Sequence, residues 1–401
     1  MAGRNAWRFF AVRLGDSGGV VVHALIVDAT ILGNDMKKII FFCLFAMGLY
    51  PGIGFSTNPP YRILARLDDA PGNITVTVDG RVILSLHQFY GPRWAVAELT
   101  KKGSLRPFPN ESWNERSADH PGAHLDSVLG IRSDSHAIVW MLDNGMRSAR
   151  VPKLVAWNSK LNRLDRVIEL PKPVTLDGSF VNDFAIDEAR EHIYISDPAN
   201  GPDAALIVVN LTSNQVRRVL QGHASVVPEA VYMTIDERPL AMKGKDGALA
   251  RPLIGVNPIV LDSRNEWLYY GPMSGTSLYR IAARELARED LDDARLASRV
   301  ERYAGKPVSD GMTIDRSDNL YLGDLTANAI GVITPDRQYR RLAQSAELAW
   351  VDSFSFGAGR DLYAVVNQLH RSSVLNAGEL SAQPPYLILK MEALAEGVSG
   401  H

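Results

Sequence analysis

The amino-acid sequence predicts an all-β protein, a six-bladed β-propeller whose four-stranded antiparallel blades surround a central channel. Two observations carry this. One hairpin pattern recurs six times along the chain, and the distance between repeats leaves room for two more strands in each. A pair of β-sandwiches is the competing fold, but it would not explain one module repeated six times.

The repeats begin with "NITVTVDGRVILSLHQF" at Asn73 and "LDSVLGIRSDSHAIVWMLDNG" at Leu125. "VNDFAIDEAREHIYISD" follows at Val181 and "VNPIVLDSRNEWLYYGP" at Val256. The series ends with "SDGMTIDRSDNLYLGD" at Ser309 and "VDSFSFGAGRDLYAVVN" at Val351. Each has a head rich in Asn, Asp or Ser, a short apolar strand, a polar turn and a second apolar strand. In the fifth repeat Met312, Ile314, Leu320 and Leu322 alternate with polar or small residues, which is strand periodicity. The turn residues Asp79, Asp134, Asp187, Asp262 and Asp315 are spaced by 55, 53, 75 and 53 residues. From Thr57 to His401 the chain has 345 residues, about 57 for each of six repeats, enough for four strands and their connections.

Outer strand pairs are legible at 153–171, 205–220 and 329–343. The 75-residue gap leaves room for an insertion, and the polar stretch 236–253 reads as an exposed loop. Residues 283–299, "ARELAREDLDDARLASR", are the one helical stretch the sequence predicts. Either the N-terminal segment or the C-terminal "YLILKM" strand is expected to help close the ring.

Ahead of the propeller, "MKKIIFFCLFAMGLYPGIGFS" starts at Met36 with two lysines and continues as an 11-residue apolar run, Ile39 to Leu49. This is the layout of a secretory signal peptide, with cleavage expected near Ser56 and a secreted or periplasmic location. The run is too short to span a bilayer, so no stable membrane span is expected in the mature chain. Residues 1–35 read as a non-structural upstream extension, with Met1 and Met36 both open as the true start, residues 36–56 as the signal peptide and 57–401 as one propeller domain. Cys43, the only cysteine, lies in the apolar run. The mature chain would then have no disulfide, thiol nucleophile or cysteine-rich zinc site, which suits an oxidising compartment.

With 43 basic and 45 acidic side chains the net charge is −2, which offers no electrostatic footprint for nucleic acid. A monomer is expected. No P-loop, dinucleotide-binding glycine motif, nucleophile elbow or HExxH is present. In a propeller the innermost strand of each blade runs along the channel, so its head lies at the channel mouth. The heads carry Asn73, Asp126, Asn182, Asp183, Asn257, Asp310 and Asp352. Each alone could be a turn cap, because Asp and Asn are the usual turn formers. In register on one face they would form a ring of oxygen-bearing side chains. The expected small-molecule site is therefore Asp126, Asn182, Asp183, Asn257, Asp310 and Asp352. Among nine histidines, His87, His223 and His370 lie near loops or strand ends. The tryptophans read as blade packing.

"FVNDFAIDEAREHIYISDPANGPDAALIVVN", "NLYLGDLTANAIGVI" and "WVDSFSFGAGRDLYAVVNQLHR" resemble the major royal jelly protein/Yellow family. The resemblance extends from about Ile74 to near Ile388. It implies a secreted six-bladed propeller that binds a small organic molecule in its channel, and an activity of the dopachrome-tautomerase type. Fold carries over in such resemblances better than activity. For that reaction Asp310 or Asp183 is the expected base, with His370 third.

A weaker similarity links "VNDFAID" and "SDGMTID" to the blade heads of calcium-dependent gluconolactonases. It implies a Ca²⁺-dependent lactonase or esterase, with Asn182 and Asp310 as two ligands. Asn73 stands where that family has a glutamate, and "DSVLG" does not clearly supply the remaining asparagine. A non-catalytic binding protein is the third alternative.

Overall fold

The computed structural model describes residues 60–115, 124–146 and 148–401. The expected upstream extension, signal peptide and Ser56 cleavage point, with Met1, Met36 and Cys43, lie outside the described residues. Six four-stranded sheets, all with antiparallel pairing, form a six-bladed β-propeller. The inner strands are Pro71–Val76, Val128–Ser133, Phe184–Asp187, Val256–Leu261, Met312–Ile314 and Val351–Phe356. Five blades are each built from four consecutive strands. The sixth runs Val351–Phe356, Asp361–Val366, Tyr386–Glu392 and, outermost, Tyr61–Leu67. Its outer register pairs Tyr61 with Met391 and Leu67 with Tyr386. The ring therefore closes by joining the first strand to the last, and "YLILKM" is the third strand of that blade.

Burial explains the different compositions of the strands. Every residue of Val128–Ser133 is buried, whereas the outermost strand of the same blade, Arg163–Glu169, is exposed apart from Ile168. Inner strands are covered on both faces by neighbouring blades and are buried along their length, with small polar residues such as Thr313, Ser353 and Ser355 among the apolar ones; outer strands face water and carry charge. Phe184 and Ile186 of the third blade pack with Trp140 and Leu154 of the second, so the core lies between blades.

Three of the turn aspartates fix their hairpins by one device. Asp134 accepts from Trp140 Nε1 at 2.9 Å, Asp187 from the Tyr194 hydroxyl at 2.9 Å and Asp315 from the Tyr321 hydroxyl at 2.8 Å. The aromatic residue of the second strand thus finds a polar partner at the turn, and the buried carboxylate finds donors.

The predicted helix is two short helices, Ala283–Leu286 and Asp293–Ala297. Asp292 starts a new helix by accepting from Arg295 N at 2.8 Å, which breaks the expected single one. The insertion between Val219 and Val256 contains two small ribbons, Thr234–Ile235 with Arg238–Pro239 and Met242–Lys243 with Leu249–Ala250. Among the described residues no helix is long and apolar enough to cross a membrane.

Candidate functional site

The heads of the inner strands surround a cavity of about 440 Å³ at one end of the channel. Its polar floor holds Asn73, Asn182, Asp183, Asn257, Asp310 and Asp352. Its walls are mostly apolar, from Phe89 and Phe180 to Trp350, Leu369 and Leu375. Met242, Pro252, Leu253 and Ile254 come from the insertion between the third and fourth blades.

One count explains why these positions meet. Asn182, Asn257, Asp310 and Asp352 each stand five residues before the turn position of their repeat, namely Asp187, Asp262, Asp315 and Gly357. Five before Asp134 is Leu129, which lines the cavity in the second blade. Asp126 stands three residues too early and is not among the lining residues. Its carboxylate accepts from Ser148 N at 3.0 Å and from Ser148 Oγ at 2.5 Å, holding a loop. The structure thus brings five of the six expected site residues together and leaves Asp126 aside.

Polar side chains of the floor are linked. Asn182 Nδ2 donates to Asn257 Oδ1, and Asn257 Nδ2 donates to Asp310 Oδ1 at 2.7 Å. Trp350 Nε1 donates to Asp310 Oδ2 at 2.7 Å. Asn367 Nδ2 donates to Asp352 Oδ2 at 2.5 Å. Arg132 lies below, where NH2 donates to Asp183 Oδ2 at 2.9 Å and NH1 to Asn73 Oδ1 at 2.8 Å. Both members of the Arg132–Asp183 ion pair are buried, their side chains 5% and 4% exposed.

The carboxyls differ accordingly. Burial raises Asp310 to about 7, against hydrogen bonds from Trp350 and Asn257 that favour its charged form, while the Asp183 charge adds to the rise. Burial, then the charge of Asp310, pushes Asp352 well above the usual carboxylate range. Burial also raises Asp183, but the Arg132 guanidinium opposes it. A buried carboxyl with neutral partners keeps its proton more readily than one paired with a cation. His87 lines the cavity, and burial lowers it to about 3, so its ring is neutral. His370 does not line this cavity, and His223 holds Ser225 Oγ at 2.8 Å.

The floor does not fit a calcium ion as it is arranged. Ca²⁺ takes six to eight oxygen ligands, yet both Asp310 oxygens and Asn257 Oδ1 already accept hydrogen bonds. Asp183 already has a cation in Arg132. Among the described residues no group of three or more His, Cys, Asp or Glu side chains is placed to hold a metal.

Sequence reasoning missed Arg132, Trp350 and Asn367. Arg132 had a signal: a charged residue inside an otherwise apolar inner strand requires a buried partner. Trp350 had one in its place directly ahead of the sixth repeat.

The sequence pattern of the major royal jelly protein family matches residues 126–380. Major royal jelly protein 1 of Apis mellifera is 21% identical over 268 residues, which cover 61% of this chain and 57% of that protein. The match thus spans little more than half of that relative's length. Among solved structures, a luciferin-regenerating enzyme superposes with a TM-score of 0.51 at 12% identity, covering 86% of this chain and 98% of that one. A gluconolactonase from Xanthomonas campestris gives 0.46 at 13% identity, covering 83% and 94%. The family pattern runs through more than half of the chain, from the head of the second repeat to beyond the sixth, and this chain belongs to the major royal jelly protein family.

Proposed function

We propose that the protein is exported and binds a small organic molecule in the cavity at the channel mouth. The observation that carries this is the cavity itself, about 440 Å³ with apolar walls above a floor of linked amides and carboxyls. That combination is the usual make-up of a small-molecule site: apolar area supplies affinity and a few fixed polar groups supply orientation. Residues 57–401 form the mature domain in this reading, after loss of the segment ending near Ser56.

Asp310 also supports a catalytic reading of the dopachrome-tautomerase type. Such a tautomerisation takes a proton from a ring carbon and returns one to an oxygen, so it needs a base and an acid but no oxidant. A carboxyl held at about 7 by burial suits the base role near neutral pH. Asp310 is a better base than Asp183, whose charge is bound to Arg132. Asp352 lines the same cavity and could return the proton.

The test uses purified protein. Thermal shifts with a panel of small aromatic amines and acids read binding, and assays on dopachrome and on lactones, with and without chelator, read catalysis. Binding that Asp310→Asn weakens supports the site. Chelator-resistant loss of dopachrome to the non-decarboxylated indole, abolished by Asp310→Asn, supports the tautomerase. Chelator-sensitive lactone opening would favour a metal hydrolase instead. No thermal shift and no turnover would sink the proposal.

A further inference from the structure

The insertion between the third and fourth blades does more than roof the cavity. It reaches across the mouth to the fifth and sixth blades. Ala241 N donates to Leu375 O at 3.1 Å, and Ala377 N to Ala241 O at 2.7 Å. Its apolar underside, Met233, Ile235 and Leu240, is buried in one cluster with Trp350 and Leu369.

At the tip of its first ribbon, Asp236 takes three donors from outside the insertion. Asn328 Nδ2 donates to Oδ1 at 2.7 Å, while Arg371 NH2 and His370 Nε2 reach Oδ2 at 2.6 and 3.0 Å. Burial alone would raise this carboxyl, but the hydrogen bonds from Asn328, Arg371 and His370 bring it down to about 2. It is therefore charged at any physiological pH and latches the ribbon down. Burial holds His370 below its ordinary value, so the ring is neutral. A neutral ring donates from only one nitrogen. Nε2 is then the donor to Asp236, in keeping with a buried Nδ1 that has no partner among the described residues.

The His370 ring stacks on the Trp350 indole, with centroids 6.0 Å apart and planes at 13°. Trp350 is fully buried and sits at φ 65°, a left-handed backbone that a bulky side chain rarely adopts. Such strain persists only where the surroundings over-determine it. What it achieves here is visible: the indole Nε1 is aimed at Asp310 Oδ2, 2.7 Å away.

We propose that Asp236, His370 and Trp350 are positioning residues that tie the seating of the insertion over the cavity to the orientation of the Asp310 carboxyl. With the insertion latched, His370 is held against the indole, and the indole N–H fixes one Asp310 oxygen. With the latch released, the imidazole and indole are free to turn and Asp310 loses that donor. The functional meaning rests on Asp310 being the working carboxyl of the site. The structural linkage can be measured without any ligand, so a failure of the binding proposal and a failure of this one are distinguishable.

The experiment reads both ends of the chain in the ligand-free protein. Trypsin nicking at the exposed Lys243 and Lys245 reports whether the ribbon is seated. Ultraviolet resonance Raman of the indole N–H band and acrylamide quenching, each taken as a difference against Trp350→Phe, report Trp350 alone. Asp236→Ala is expected to speed nicking roughly tenfold or more, as loss of charged hydrogen bonds raises local opening. It should also move the Trp350 band toward a weaker hydrogen bond and open the indole to quencher. His370→Gln keeps a donor for Asp236 but removes the ring face. It is expected to leave nicking unchanged and still shift the Trp350 band. Faster nicking in Asp236→Ala with an unaltered Trp350 band overturns the linkage, and unchanged nicking overturns the latch. If Asp236→Ala does not fold, His370→Gln decides, and an unaltered band in that variant overturns the proposal.

Discussion

The backbone N–H of Gly311 donates to the carbonyl of Asp352 at 2.6 Å, a bond between the inner strands of neighbouring blades. Gly130 makes the same bond to Asn182 at 2.7 Å. The first of these bonds holds Asp310, which precedes the donor Gly311, and Asp352, which supplies the carbonyl, on one cavity floor. Glycine is required by distance: a Cβ on Gly311 would lie 2.3 Å from Asp352 O and 3.0 Å from Ser353 Cα. The atoms it would meet are backbone and cannot swing aside. Gly311→Ala is expected to cost about 2–4 kcal/mol through overpacking and the lost hydrogen bond, and to weaken ligand binding by moving the two carboxyls apart. Gly305→Ala is the control, since its Cβ would meet nothing nearer than 3.9 Å. Urea unfolding of the two variants decides; equal effects would mean the close approach is unimportant.

The buried pair Arg132–Asp183 predicts an asymmetry. Removing only the cation leaves an unpaired charge in the interior, typically worth 3–5 kcal/mol. Arg132→Met should therefore be destabilised by about that amount at neutral pH, with Asp183 driven to take up a proton. Adding Asp183→Asn removes the stranded charge, so the double variant should be more stable than Arg132→Met alone. A double-mutant cycle by urea unfolding measures the difference. A double variant less stable than Arg132→Met would contradict the assignment of Arg132 as Asp183's counter-charge.

The fold was legible because a propeller writes itself into the sequence as a local, repeated signal. Hairpins with polar turns and apolar strands recur at a period that needs no long-range information, and turn aspartates mark five of the six. The floor residues were legible for the same reason in the third to sixth repeats, whereas Asn73 of the first stands six residues before Asp79 and outside the expected site. In the second repeat the acidic Asp126 draws the reading away from Leu129, the residue at the matching count from Asp134. Arg132, Trp350 and the Asp236–His370 contact were not legible, because they join residues up to 134 positions apart. Only the closed ring and the seated insertion bring them together. The insertion's polar outer face, Lys243 to Arg251, explains why it read as a loop, while its buried underside is carried by isolated residues such as Leu240.

Metal addition gives a clean outcome. Because the floor oxygens already have donors and Asp183 already has Arg132, added Ca²⁺ is expected to leave the melting temperature unchanged, as is a chelator. A ligand that binds the folded state raises the melting temperature by mass action, so calorimetry with either additive reads the question directly. A rise with Ca²⁺ that Asp310→Asn removes would restore the metal reading and require the Asn182, Asn257 and Asp310 side chains to rearrange around the ion.

Stability should also fall with rising pH because of Asp310. Its ordinary value is 3.8 and the folded protein holds it near about 7. Between these, the folded state binds a proton that the unfolded chain has released. Stability rises with pH only where the unfolded state binds more protons; here the opposite holds. The contribution is therefore full below about pH 4 and lost as pH climbs through about 7, a change of at most about 4 kcal/mol at 1.36 kcal/mol per unit. Asp352 and Asp183 are raised in the same direction and add to the slope. Asp310→Asn removes this titration, but its amide must point a donor at either Trp350 or Asn257, which costs about 1–3 kcal/mol. The variant is thus expected to be clearly less stable than the wild type under mildly acidic conditions, with the gap narrowing or reversing under mildly alkaline ones. Urea unfolding of both proteins across that range checks it. A gap that stays constant would mean Asp310 is already ionised in the folded protein at acidic pH, and its role as a neutral-pH base would fall with it.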